Sequence, residues 1–221
     1  MTSRAVVIGA SGGIGAAFVA ALTAAGAEVH ALARADLDLE DEASIAAAAA
    51  RIGGPLDLVI VATGLLHGGG VAPEKAMRDL SAATLARYFA VNATGPALVA
   101  KHFLPLLAKD RPATFAALSA RVGSITDNRL GGWYGYRASK AALNMLIRTL
   151  AIELARTRPQ AICVGLHPGT VDTGLSAPFQ RGVPDLFTPE RSATAMLDVL
   201  ARLSPADSGG CFAWDGRRIA A

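Results

Sequence analysis

The sequence predicts a doubly wound α/β fold: one parallel β-sheet with helices on both faces, giving three αβα layers. Three observations carry this. Short runs of β-branched residues are apolar almost throughout, as strands covered on both faces must be. Longer stretches rich in alanine and leucine separate them, as right-handed crossovers between parallel strands require. No shift in composition marks a linker and no segment recurs at a fixed period, so residues 1–221 are expected to form a single domain.

Ala5–Ile8 (AVVI) reads as a buried strand, followed by a glycine turn and a helix over Gly13–Ala25. Glu28–Leu32 is a second strand. Ile45–Ile52 is a helix made mostly of alanine, the best helix former. Leu56–Ala62 (LDLVIVA) is a third strand, and Thr84–Leu107 a long helical region that contains Asn92 and Gly95. Thr114–Leu118 is a strand, Ala138–Arg156 an amphipathic helix and Ala161–Leu166 a strand. Pro189–Leu203 is the last helix and Cys211–Trp214 the last strand.

Composition excludes several classes. With 52% hydrophobic and 18% charged residues, the chain can bury a large core and is not disordered. Its richest apolar stretch, Ala16–Ala27, is short of the roughly 18 residues that a spanning helix needs. Before Val6-Val7-Ile8 stands only Arg4, and glycine follows, which does not fit a signal peptide. The net charge of +3 comes from scattered lysines and arginines, the longest run being Arg217-Arg218, and aromatics are only 5%. Nucleic-acid binders concentrate charge on one face and interleave aromatics, so neither nucleic acid nor membrane is expected as a partner. Cys163 and Cys211 lie in apolar surroundings without metal-ligand spacing, which fits buried, reduced thiols in a cytoplasmic protein that holds no metal.

The first strand runs directly into Gly9-Ala10-Ser11-Gly12-Gly13-Ile14-Gly15, and a helix follows. Glycines at 9, 13 and 15 let the backbone turn sharply and approach a pyrophosphate, whose charge the free N–H groups at the helix start stabilise. A dinucleotide is the ligand this strand–turn–helix context fits. Arg34 ends the second strand about 20 residues further on, where an acid binds a ribose 2′-hydroxyl and an arginine a 2′-phosphate. Arg34 therefore favours NADP(H) over NAD(H), with Asp36 as the alternative ribose acid.

Tyr136 and Lys140 stand four apart, so that on a helix both project from one face. A free tyrosine has a pKa of about 10. A neighbouring cation favours phenolate and is expected to draw that value towards the operating range for acid–base catalysis.

Taken together, the glycine turn at 9–15, Asp38-Leu39, Asn92, Tyr136-Arg-Ala-Ser-Lys140 and Pro168-Gly169-Thr170-Val171-Asp172-Thr173 resemble the short-chain dehydrogenase/reductase family over essentially the whole chain. Leu65-Leu66-His67 and Gly123-Ser124-Ile125 are similar to its carbonyl-reductase branch, which includes the bacterial C-factor proteins. The resemblance implies a Rossmann fold and an NADPH-dependent reductase of a ketone or aldehyde, reversible as an alcohol dehydrogenase. It implies that Tyr136 gives a proton to the substrate carbonyl oxygen, while Lys140 holds the nicotinamide ribose and lowers the Tyr136 pKa. Asn92 would bend its helix and support a water chain to Lys140. Asp38 and Leu39 would contact adenine, and Val171 and Thr173 the carboxamide. The implied cofactor-binding set is Gly9, Ser11, Gly12, Gly13, Ile14, Gly15, Arg34, Asp38, Leu39, Ala62, Thr63, Gly64, Asn92, Tyr136, Lys140, Pro168, Gly169, Val171 and Thr173. His167 is given no role.

Two departures stand out. The family's Asn-Asn-Ala-Gly after the third strand reads Val61-Ala62-Thr63-Gly64 here, which keeps the glycine but loses an amide. The family's catalytic serine is the second of a Ser-Ser pair, and here the pair reads Ser119-Ala120. Ser119 and Ser124 are the candidates to replace it. Adjacent strand residues point to opposite faces, which counts against Ser119 unless the strand has already ended, so Ser124 is preferred. Ala62 and Ala120 also motivate an alternative, an NADP-binding regulatory or signalling protein with weakened chemistry. Gly174–Phe187 reads as a lid whose Leu175, Phe179, Leu186 and Phe187 imply a small apolar carbonyl or alcohol substrate. The apolar run Ala141-Ala142-Leu143, with Met145, Leu146 and Leu150, exceeds one core-facing stripe and suggests pairing with a second subunit, which the resemblance implies is a homodimer or homotetramer.

Overall fold

The computed structural model describes residues 3–221. Six strands form one parallel sheet: β1 (Arg4–Ile8), β2 (Glu28–Leu32), β3 (Leu58–Val61), β4 (Ala113–Leu118), β5 (Ala161–His167) and β6 (Cys211–Ala213). Their order is β2-β1-β3-β4-β5-β6. Period-two alternation divides the core. Val6, Ile8, Val59 and Val61 face one side, where helices α2 (Glu42–Ile52), α4 (Gly95–Phe103) and α5 (Tyr134–Thr157) pack on them through Ile45, Phe103 and Ile147. Val7, Ile60, Val164 and Leu166 face the other side, against Phe18 of α1 (Gly13–Ala24) and Met196 of α6 (Pro189–Leu200). The three expected layers result, with the crevice between β1 and β3 marking the point where the strand order reverses. Ligands of such sheets bind outside the strands' carboxyl ends at that point.

Several ends differ from the sequence reading. The expected helix Thr84–Leu107 is two helices, α3 (Ala82–Phe89) and α4, joined by a π-helical segment at Ala90–Thr94. Gly95 follows it because Leu39 packs there; a Cβ at Gly95 would lie 2.8 Å from the Leu39 Cβ. α5 begins at Tyr134, four residues ahead of the expected start at Ala138. A distant residue sets that start: the Glu74 carboxylate accepts the Gly135 N–H at 3.1 Å, and its carbonyl accepts the Trp133 N–H at 2.6 Å. Strand β3 excludes Leu56, which only bridges to Leu107. Turns after Leu200 and Ala213 end α6 and β6 earlier than expected. In the Gly174–Phe187 segment only Ala177–Phe179 forms a helical turn, and the Val171–Phe187 bridge ties its far end back to the sheet side.

Candidate active site

A trough crosses the carboxyl ends of the strands in three sections that share lining residues. The inner section, at the β1/β3 crevice, is lined by Gly9, Ser11, Gly12, Arg34, Asp38, Leu39, Ala62, Thr63 and Gly64. The middle section adds Gly13, Ile14, Ser119, Tyr136, Lys140, Pro168 and Thr173. The outer section runs past Ala120, Arg121, Trp133, His167, Gly169, Val171 and Phe179.

Local backbone chemistry shapes the inner section. Gly9 sits at φ +86°, a conformation in which a side chain is strained, and its N–H bonds the Leu32 carbonyl at 2.8 Å. A Cβ at Gly15 would collide with the Gly9 carbonyl, and one at Gly13 would lie 2.9 Å from Thr173 Cγ2. The turn therefore closes only with glycine, and it leaves the start of α1 open to the trough with no side-chain cap. Thr63 Oγ1 is buried beside it without a hydrogen-bond partner. A glycine cradle, an uncapped helix N-terminus and an arginine at one end fit a phosphorylated dinucleotide. Asp36, the alternative ribose acid, is spent on its own turn: its carboxylate accepts the Ala33 N–H at 2.9 Å, and it does not line the trough.

Tyr136 and Lys140 occupy successive turns of α5 and are 8% and 3% exposed. The Lys140 Nζ donates to the Leu118 carbonyl at 2.8 Å and stands 5.8 Å from the Tyr136 ring centroid. Burial draws the Lys140 pKa down to about 8. Burial also pushes the Tyr136 pKa well above its ordinary value, with a further contribution from Tyr88, whose ring lies edge-on at 6.2 Å. The expected lowering of Tyr136 by Lys140 is not seen: burial and then Tyr88 raise its pKa, while Lys140 is anchored to a backbone carbonyl. The Tyr136 hydroxyl is held as a neutral phenol.

Asn92 lies in the π segment, fully buried. Its Oδ1 accepts the Leu65 N–H at 2.8 Å, and its Nδ2 donates to the Leu65 carbonyl at 2.9 Å and to Ser139 Oγ at 3.1 Å. It pins the chain after β3 to α5. Gly64 lies where these groups meet, a Cβ there coming within 3.8 Å of both Asn92 Oδ1 and Lys140 Nζ.

The two serine candidates are placed differently. Pairing with β5 continues past Leu118, the Ser119 N–H bonding the Leu166 carbonyl at 2.7 Å and Ala120 staying extended, and Ser119 lines the trough with Tyr136. Ser124 is buried away from the trough: its Oγ accepts the Asp127 N–H at 3.1 Å and lies 3.4 Å from the Ala221 carbonyl. Ser119 is itself engaged, donating to Asn144 Oδ1 at 2.6 Å. Ala120, 8% exposed, lines the outer section beside Tyr136 with no hydroxyl to offer. His167, left without a role, also lines this section. Its Nδ1 is buried and unpartnered, and burial with nearby Arg121 lowers its pKa to about 4.

Sequence reasoning missed Trp133, Arg121 and Glu74. Trp133 is the one non-glycine residue with positive φ among the described residues, at +51°. The Gly131-Gly132 pair before it was the available signal, since both also take positive φ. Among the described residues no cluster of metal-ligating side chains occurs, and no helix is long and apolar enough to cross a membrane.

Comparison with known proteins accords with this geometry. The family model described as short chain dehydrogenase matches residues 35–183. The C-signal protein of Myxococcus xanthus is 37% identical over 169 residues, which cover 75% of this chain and 93% of that protein. The 1-hydroxy-2-glutathionyl-2-methyl-3-butene dehydrogenase of a Rhodococcus species is 32% identical over 176 residues, covering 78% of this chain and 73% of that enzyme. Among solved structures, the NADPH-bound carbonyl reductase from chicken fatty liver superposes with a TM-score of 0.85 at 26% identity, over 100% of this chain and 94% of that one. The chain belongs to the short-chain dehydrogenase/reductase family, in its carbonyl-reductase-like branch.

Proposed function

We propose that the protein is a reductase of small carbonyl compounds that uses NADP(H) in preference to NAD(H). The observation that carries this reading is the buried Tyr136–Lys140 pair, set on one helix face midway along a trough that starts at a glycine turn and Arg34. Arg34 would hold the 2′-phosphate, Ser11 to Gly15 the pyrophosphate, Asp38 and Leu39 the adenine, and Pro168 to Thr173 the carboxamide end. When bound, the nicotinamide supplies the hydride that converts a carbonyl carbon to an alcohol.

The chain supplies the proton. As the carbonyl carbon is reduced, its oxygen gains negative charge, and the neutral Tyr136 hydroxyl protonates it. A charged Lys140 on the next turn stabilises the phenolate left behind, until solvent returns the proton. In reverse the same pair oxidises an alcohol. The NADPH bound by the chicken carbonyl reductase supports the choice of cofactor. NADPH consumption across a panel of ketones and aldehydes tests the reading.

Met145 and Ile152 of α5 are 66% and 49% exposed and lie seven residues apart on one outer stripe, which supports pairing of α5 with a second subunit. The buried, unpaired Cys163 and Cys211 thiols fit a cytoplasmic location. Ala62 and Ala120, both in the trough lining, are the observations in favour of cofactor binding without turnover.

A further inference from the structure

We propose that the outer section of the trough takes a carbonyl compound with a flat apolar body that ends in a carboxylate, the anion pairing with Arg121. The proposal rests on the reductase reading for the position of the reacting carbonyl at Tyr136.

The body of the substrate is read from the walls. Trp133 packs edge-on to Tyr136, with ring centroids 6.1 Å apart, and to Phe179, at 5.1 Å. Leu66 and Val122 belong to the same apolar cluster. Both aromatic walls are fixed in place. Trp133 is locked into its left-handed conformation by the bond from its N–H to the Glu74 carbonyl. Phe179 belongs to the lid segment and packs edge-on against His67 at 5.7 Å, and His67 Nε2 lies 2.9 Å from the Gly174 carbonyl. A planar group laid against the joined Trp133–Phe179 wall meets ring edges and faces that are already ordered, so binding costs little side-chain freedom.

The anion is read from charge. Among the described residues no carboxylate lines this section, and Arg121 is its one ionised side chain, because His167 stays neutral. The Arg121 guanidinium is half exposed and makes a single contact, Nη1 to Asp127 Oδ2 at 3.5 Å, the outer limit of a hydrogen bond. Its Nε and Nη2 donors have no partner among the described residues. A planar carboxylate accepts two parallel N–H bonds from such a fork. Asp127 does not line the trough and competes for the guanidinium only from outside it.

The test compares para-formylbenzoate with its methyl ester, which has the same aldehyde and ring but no charge. The expected result is that kcat/KM with NADPH is about tenfold higher for the acid, as befits a half-exposed charged hydrogen bond. Arg121→Met should collapse that ratio, Arg121→Lys keep part of it, and Asp127→Asn, which frees the guanidinium, raise it. The same comparison is made without turnover by calorimetric titration of para-hydroxymethylbenzoate and its ester into the protein–NADPH complex. An ester reduced or bound as well as the acid, or a ratio unmoved by Arg121→Met in folded protein, overturns the proposal while any aldehyde reduction leaves the reductase reading standing. Acid-selective binding through Arg121 without reduction of either aldehyde upholds the anion site and overturns the reductase reading. No selectivity and no reduction overturn both.

Discussion

The Lys140 ammonium is tied to the end of β4, donating to the Leu118 carbonyl at 2.8 Å, while the Tyr136 ring centroid stands 5.8 Å away on the preceding turn of the same helix. In the resting state burial dominates both groups. It keeps Tyr136 protonated and makes Lys140 the easier of the two to discharge.

A pH dependence follows. Lys140 is charged below about 8 and neutral above it, so carbonyl reduction should be sustained below that value and fall as pH rises through it. Lys140→Arg, whose guanidinium does not titrate there, should flatten that limb of the profile at whatever rate survives. A wild-type rate that stays level across this range would remove Lys140 from the account.

Arg34 should select the cofactor. Titration of NADPH and NADH against wild type and Arg34→Ala should show tighter NADPH binding in wild type. The variant should lose about tenfold or more for NADPH alone, since a guanidinium–phosphate contact is a charged hydrogen bond. Equal losses for the two cofactors would place the 2′-phosphate elsewhere.

The serine positions give opposite expectations. Ser124→Ala should change kcat by no more than a few-fold, because its hydroxyl bonds Asp127 and lies outside the trough. Ala120→Ser puts a hydroxyl beside Tyr136 and should raise kcat tenfold or more, given that one donor aimed at developing charge is typically worth about a hundredfold. A hundredfold loss in Ser124→Ala would restore Ser124 as the catalytic hydroxyl.

Light scattering at micromolar concentration should show a dimer or tetramer. Met145→Glu combined with Ile152→Glu, which charges the exposed stripe of α5, should yield monomers. A wild-type monomer would contradict the pairing.

Much of the fold was legible because its signals are local. Near-continuous apolar strands such as Val6-Val7-Ile8 announce a sheet covered on both faces, and the glycine turn announces its ligand crevice. What escaped depends on distant partners. The start of α5 is set by Glu74, 61 residues earlier in sequence, and no cap residue near Trp133 announces it. The placement of Ser124 depends on its contacts with Asp127 and with Ala221, 97 positions away in sequence. The sign of the Tyr136 shift depended on burial and on Tyr88, 48 positions away in sequence but edge-on in space. Arg121 and Trp133 line the trough from a single 3-10 turn and a helix N-cap, too short to carry a periodicity to read.

The central claim is that Tyr136 supplies the proton for carbonyl reduction. Its most direct test is single-turnover reduction of an accepted carbonyl compound by protein preloaded with NADPH, wild type against Tyr136→Phe, with NADPH affinity measured alongside. The account predicts that the variant binds NADPH within a few-fold of wild type and loses at least a hundredfold in rate, the lower end of what a positioned general acid contributes. An unchanged rate in Tyr136→Phe, or a wild type that binds NADPH tightly and reduces no carbonyl compound, would contradict it.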